Sequence, residues 1–190
     1  MTKSIVLAGG CFWAVEHLYR QLPGVLSAHS GYANGRKAEW ADYEKVCTGL
    51  TGFREAVQVT YDPAVVSLRH LLFVFFNIID PAMYHRQGMD MGSQYQSGVY
   101  WSDETDAETV LAVAEIERPG HPGFCTELEE LRIFCLAEEY HQRYLEKNPG
   151  GYCHVSPRKM ALLREYPFEE AAYTRPAQQL FDAWRAETES

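Results

Sequence analysis

Apolar and polar positions change their period several times along the 190 residues. Ile5-Val6-Leu7-Ala8 is a short apolar run and predicts a strand over 4–8. Phe12, Val15, Leu18, Tyr19 and Leu22 then fall on one helical stripe, which predicts a helix over 12–22 ended by Pro23-Gly24. A second strand is expected over 25–31, followed by a Gly/Asn/Tyr loop to Tyr43. Val57, Val59 and Tyr61 alternate with Gln58 and Thr60, the pattern of a half-buried strand over 55–61 that Asp62-Pro63 breaks. Ser67 caps the next helix, whose apolar face carries Leu68, Leu71, Leu72, Phe75, Phe76 and Ile79 before Pro81 stops it.

A polar loop over 83–96 leads to a strand over 98–101 and a surface helix over 104–117. Residues 119–123 form a rigid Pro/Gly turn, 124–131 read as extended, and 138–147 read as a short helix ending at Asn148-Pro149-Gly150-Gly151. The order β-α-β-β-α-β predicts an α+β fold: a ferredoxin-like two-layer sandwich with an antiparallel sheet and helices on one face. Residues 1–154 form the main unit in this reading, and 155–190 a partly helical C-terminal extension.

Length, 46% hydrophobic content and 23% charged content suit one globular unit with a sizeable core. A net charge of −9 with no offsetting Lys/Arg cluster argues against nucleic acid and anionic membrane surfaces as partners. No apolar run reaches the length of a membrane span. Met1-Thr2-Lys3 leads directly into the first strand, so no signal peptide is expected. The five cysteines make an odd count without a Cys-x-x-Cys pair, which fits a reducing, cytoplasmic setting with free or catalytic thiols. The histidines show no metal spacing, so neither a metal nor another cofactor is expected, and a monomer is the simplest assembly.

The chemistry concentrates at Gly9-Gly10-Cys11-Phe12-Trp13. A thiol at a strand-to-helix junction sits near unsatisfied N–H groups and the positive end of the helix dipole, which favour a thiolate. Phe12 and Trp13 would wall a pocket for a small, apolar substrate bearing sulfur or a carbonyl. The competing reading is an inert buried cysteine with two core aromatics. A thiol hydrolase is a second reading, since His141 and Asn148 follow Cys11 at a separation found in papain-like proteases, but the local cysteine signature of those enzymes is absent. A third is a non-catalytic, aromatic-walled module that binds methionine-like side chains.

At Gly10-Cys11-Phe12-Trp13 the sequence resembles the A-type peptide methionine sulfoxide reductases, and the resemblance recurs in order from about residue 4 to His154. Matching blocks include Leu22-Pro23-Gly24-Val25, Tyr43-Glu44-Lys45-Val46-Cys47-Thr48-Gly49, Glu55-Ala56-Val57 and Tyr61-Asp62-Pro63. Further blocks are Arg86-Gln87-Gly88, Gly92-Ser93-Gln94-Tyr95, Ala137-Glu138-Glu139-Tyr140-His141-Gln142 and Lys147-Asn148-Pro149-Gly150-Gly151-Tyr152-Cys153. The resemblance implies a catalytic unit over 1–154 that reduces methionine-S-sulfoxide, protein-bound and free, with thioredoxin as reductant.

By the same resemblance Cys11 is the nucleophile, Glu55 the acid, and Tyr43 and Tyr95 the phenols that hydrogen-bond the sulfoxide oxygen. Phe12 and Trp13 hold the S-methyl group, and Asp90 orients donors around the substrate. Cys153 resolves the sulfenic acid. Cys47, Cys125 and Cys135 are read as core, and His141 and His154 as structural. This sequence departs from the family pattern at Ala14 for glycine, at Met89 and Met91 around Asp90, at Leu136 for proline and at Glu139 for aspartate.

Overall fold

The computed structural model describes residues 1–189. Its elements in chain order are β1 (Lys3–Ala8), α1 (Phe12–Tyr19), β2 (Val25–Ala33), α2 (Tyr43–Cys47), β3 (Arg54–Tyr61) and α3 (Leu68–Ile78). A two-rung hairpin, β4 (Arg86–Gln87) and β5 (Asp90–Met91), precedes β6 (Gly98–Trp101) and α4 (Glu104–Glu117). Then come β7 (Glu127–Glu130), β8 (Phe134–Leu136), α5 (Tyr144–Lys147), α6 (Pro157–Glu165) and α7 (Ala177–Thr188).

The fold is mixed α+β, built on a six-stranded sheet in the order β7-β6-β1-β3-β2-β8. The apolar run of β1 is central because both of its faces are covered. Ile5 and Leu7 enter the main core with Val57, Val59 and Val99, while Val6 and Ala8 enter a small cluster with Ala33, Ala56 and Tyr100. All five longer helices, α1, α3, α4, α6 and α7, contribute to the main core; Leu131 and Phe134 pack against the small one. Among the described residues no helix is long and apolar enough to cross a membrane.

The sheet departs from the expected all-antiparallel pattern at one edge. β6 and β7 pair in parallel, with Gly98 opposite Glu127 and Trp101 opposite Glu130. A parallel pair needs a long crossover, and α4 with the Pro119–Gly123 turn region supplies it. β7 is only Glu-Leu-Glu-Glu, so no apolar alternation marks it in the sequence.

Three boundaries also move. The first helix ends at Tyr19 rather than residue 22, and β2 continues to Ala33. The expected helix over 138–147 is instead a 3-10 turn at Glu139–His141 and the single turn α5. Between them Arg143 takes a left-handed conformation, φ 54°, and donates its N–H to the buried carboxylate of Glu16 at 2.8 Å. That distant acceptor removes the N–H from any helical ladder. Residues 155–188 are largely helical, and Val155, Met160, Leu163, Tyr173, Ala177 and Phe181 lie in the main core. They cover the back of α3, where Phe73 stacks on Tyr166 (4.5 Å) and meets Tyr173 edge-on (5.5 Å). An α3 that is apolar all round, Phe73 and Val74 included, is the sequence counterpart of that cover.

Candidate active site

The site begins where β1 hands over to α1. Gly10 has φ +82°, and a Cβ there would stand 2.7 Å from the Cβ of Gln87, so only glycine fits both the turn and the neighbouring hairpin. Gln87 is itself locked, accepting from Asp80 N–H (2.8 Å) and donating to Asp80 C=O (2.9 Å). Cys11 follows as the N-cap residue of α1.

Cys11 sits at the helix end as expected, but its thiol is not activated in the resting state. It is 7% exposed, and burial, followed by the charge of Glu55, pushes it well above the ordinary thiol range. The N–H of Trp13 pulls the other way and is outweighed. The helix-end effect is worth about 1 kcal/mol, whereas full burial of a charge costs several.

Glu55, the second residue of β3, lies opposite Tyr32 of β2 and is 2% exposed. Its one hydrogen bond comes from Phe12 N–H, 3.2 Å from Oε2. Burial pushes its carboxyl up to about 8, and the nearby charge of Asp90 adds to this. At neutral pH it is therefore a carboxylic acid, able to donate a proton.

Tyr43 and Tyr95 converge on the same point from separate elements. Tyr43 opens α2, whose first turn Asp42 caps through Lys45 N–H at 3.0 Å. Tyr95 lies in the 3-10 turn Ser93–Tyr95. Burial raises both phenols, and each lies within the electrostatic reach of Glu55 and Cys11. They remain neutral O–H donors. Asp90 lies on β5 and accepts from Tyr152 O–H at 3.0 Å, so the hairpin is tied to the residue before Cys153. The Cys153 thiol, partly buried and raised by burial, donates to Val155 C=O at 2.9 Å. It is close enough to Cys11 to act on its titration. A groove of about 720 Å³ between α1, α5 and α6 reaches Cys153 from outside, with His17, Leu145, Gly150 and Arg164 along it.

Phe12 is buried against Tyr32 and His141 (5.8 and 5.0 Å between ring centroids). Trp13 stacks on Tyr144 at 3.7 Å and donates its indole N–H to His141 Nδ1 at 3.1 Å. Asn148 donates its amide to Tyr144 C=O. No hydrogen bond joins His141 or Asn148 to Cys11 among the described residues, unlike the base of a thiol protease. Among the described residues no three His, Cys, Asp or Glu side chains converge to hold a metal ion.

Sequence reasoning missed two anchoring carboxylates, Glu138, partly exposed, and Glu16, buried. Glu138 accepts from Tyr32 O–H (3.1 Å), Tyr43 N–H (3.3 Å) and Tyr140 O–H (3.1 Å), and so places the tyrosine-bearing turn. Glu16 anchors Arg143 N–H. A charged residue inside the apolar stripe of the first helix was the available signal for Glu16. The three supposed core cysteines also differ: Cys47 is exposed, while Cys125 and Cys135 are only partly buried. Position 47 closes the one-turn helix α2, in which Val46 alone is fully buried.

The peptide methionine sulfoxide reductase family model matches residues 3–170. A peptide methionine sulfoxide reductase MsrA of Clostridium botulinum (strain Hall) is 47% identical over 154 residues, covering 80% of this chain and 98% of that protein. Mxr1 of Saccharomyces cerevisiae in reduced form superposes with a TM-score of 0.76 at 40% identity, over 80% of this chain and 88% of Mxr1. Mxr1 in complex with Trx2 superposes with a TM-score of 0.53 at 28% identity, over 75% and 84%. The chain belongs to the peptide methionine sulfoxide reductase family.

Proposed function

We propose that this site reduces the S epimer of methionine sulfoxide, protein-bound and free, with Cys11 as nucleophile and Glu55 as proton donor. The observation that carries the reading is a glutamate 2% exposed, held protonated to about pH 8, and hydrogen-bonded to the residue after Cys11. When Glu55 is neutral, the charge that opposes Cys11 ionisation is gone. The Cys11 sulfur attacks the sulfoxide sulfur while Glu55 passes its own proton and the thiol proton to the oxygen, which leaves as water. That water then adds to the Cys11 sulfur, the Cys11–methionine S–S bond breaks to release methionine, and the Glu55 carboxylate takes back the proton. Tyr43 and Tyr95 hydrogen-bond the oxygen as its charge develops. Phe12 and Trp13 receive the S-methyl group, and Asp90 orients the donors around it.

The balance is one thiol and one sulfoxide giving methionine and a Cys11 sulfenic acid. Condensation with the Cys153 thiol releases water and forms a Cys11–Cys153 disulfide. Thioredoxin reopens it by thiol exchange, entering along the groove that reaches Cys153. The yeast Mxr1–Trx2 complex supports that partner. No membrane, nucleic acid or cofactor enters this scheme, which suits a cytoplasmic monomer. The strand order β6-β1-β3-β2, with α1 and α3 as crossovers, supports a ferredoxin-like core for the catalytic unit over 1–154, braced by residues 155–188 of the C-terminal extension.

Single-turnover reduction of methyl p-tolyl sulfoxide tests the reading. Glu55→Gln is expected to slow methionine-type product release about a hundredfold, and at least tenfold, because general acid catalysis contributes on that scale. Cys153→Ser is expected to complete one turnover and leave a dimedone-reactive sulfenic acid. An unchanged Glu55→Gln rate would remove Glu55 from the chemistry.

A further inference from the structure

β8 ends the sheet, and its register decides where its backbone groups point. Ala137 N–H donates to Ser30 C=O and Asn34 N–H to Ile133 C=O, both at 3.0 Å. Rungs of an antiparallel ladder alternate between bonded and non-bonded pairs. Between those two bonded rungs, Tyr32 opposite Cys135 is bonded, while Gly31 opposite Leu136 and Ala33 opposite Phe134 are not. The N–H and C=O of Phe134 and Leu136 therefore point away from β2, off the end of the sheet. Exposed edges are commonly blunted by charge, proline or a bulge. Here the edge reads Phe134-Cys135-Leu136, with none of these, and the Leu136 side chain is 64% exposed.

This edge is continuous with the active site. Two residues past Leu136, Glu138 binds Tyr32 and Tyr43. Glu55, Tyr32 and Cys135 form one cross-strand row, running from the proton donor to the edge. A strand added beyond β8 would lie three strand spacings from Glu55, roughly 14 Å. An extended chain covers that distance in about four to five residues. A family substrate is a polypeptide, so a sulfoxide side chain at Cys11 brings backbone of that length with it.

We infer that the outer edge of β8 at Phe134 and Leu136 holds the extended polypeptide flanking the methionine sulfoxide, by strand addition. The inference rests on the reductase reading of Cys11 and Glu55. Backbone pairing needs no particular side chains, so it suits an enzyme that meets sulfoxides in many sequences. Proline, usual in the family at position 136, offers no N–H; the donor is a feature of this chain.

Leu136→Pro tests the inference, because it deletes an outward donor while leaving the bonded rungs to β2 intact. Three substrates are compared: methyl p-tolyl sulfoxide, a sulfoxide peptide with two-residue flanks, and one with eight-residue flanks. The variant is expected to handle the first two as wild type does. Its KM for the long peptide is expected to rise about three- to tenfold at unchanged kcat, the scale of one or two backbone hydrogen bonds. The wild-type protein supplies a second arm, in which the long peptide carries N-methyl groups at alternate flank residues and its KM rises likewise. A KM for the N-methylated peptide equal to that of the unmodified peptide overturns the inference. Failure of the wild type to reduce the small sulfoxide overturns instead the reductase reading.

Discussion

Two of the buried glutamates, Glu55 and Glu117, are given very different surroundings. Glu117, at the C-terminal end of α4, is 0% exposed and surrounded by donors. Tyr173 O–H reaches its Oε1 at 2.6 Å and Ala177 N–H at 2.8 Å, and His121 Nε2 lies 3.3 Å from Oε2. These contacts join α4 to the start of α7 and offset part, not all, of the burial that still leaves the carboxyl raised. Glu55 has one backbone donor at 3.2 Å and the charge of Asp90 nearby. A carboxyl that ties elements together is given donors to its charged form. One meant to give up a proton is left with few, so that burial keeps it protonated.

The largest consequence is in pH dependence. With Glu55 as the proposed acid, the single-turnover rate should be flat below neutral pH and fall as pH rises through about 8. At two units above that value the loss is about a hundredfold, since each unit costs tenfold in acid form. The Glu55→Gln variant, already slow, should lose this descending limb. A wild-type rate that climbs with pH would mean that thiolate supply at Cys11, not proton donation, controls the step.

Next in size is the loss of the donor-rich carboxylate. Glu117→Ala leaves Tyr173 O–H and Ala177 N–H buried without a partner and opens a cavity. The expected cost is about 2–3 kcal/mol, or a melting temperature lower by about 4–12 °C. Small-sulfoxide turnover well below that temperature should be unchanged, because Glu117 touches none of the site residues. A variant that melts normally but loses activity would break the comparison.

Much of this was legible in the sequence, and what was not shares one cause. Strand β3 and helix α3 were readable because Val57/Val59 and Leu68/Leu71/Leu72/Phe75 recur at the strand and helix periods. The candidate site residues stood out as blocks in order, and the structure brings Cys11, Glu55, Tyr43 and Tyr95 within electrostatic reach of one another. The misread features are set by partners distant in sequence. Arg143 leaves the helical conformation because Glu16 takes its N–H. The Cys11 thiol is raised because Glu55 and the core surround it, which outweighs a local helix end. β7 pairs in parallel because α4 carries the chain back, not because Glu127–Glu130 has strand-like alternation.

The smallest effect is the most diagnostic, because its sign is opposite to that of Glu117→Ala. A carboxyl raised from 4.5 to about 8 by folding disfavours the folded state wherever the unfolded chain would ionise it. Stability is therefore fully present below about pH 4.5, declines as pH rises, and levels off above about 8. Glutamine removes the ionisation but keeps an oxygen for Phe12 N–H, while its amide brings an imperfectly paired donor. Glu55→Gln should thus gain about 1–2 kcal/mol at pH 7, less than the roughly 3 kcal/mol that the full shift represents there. Chemical denaturation at pH 7 and at pH 4 separates the possibilities. The gain should be present at the higher pH and absent at the lower. A loss at pH 7, or a gain of equal size at both, would show that Glu55 is held as firmly as Glu117 and that its isolation is not what keeps it protonated.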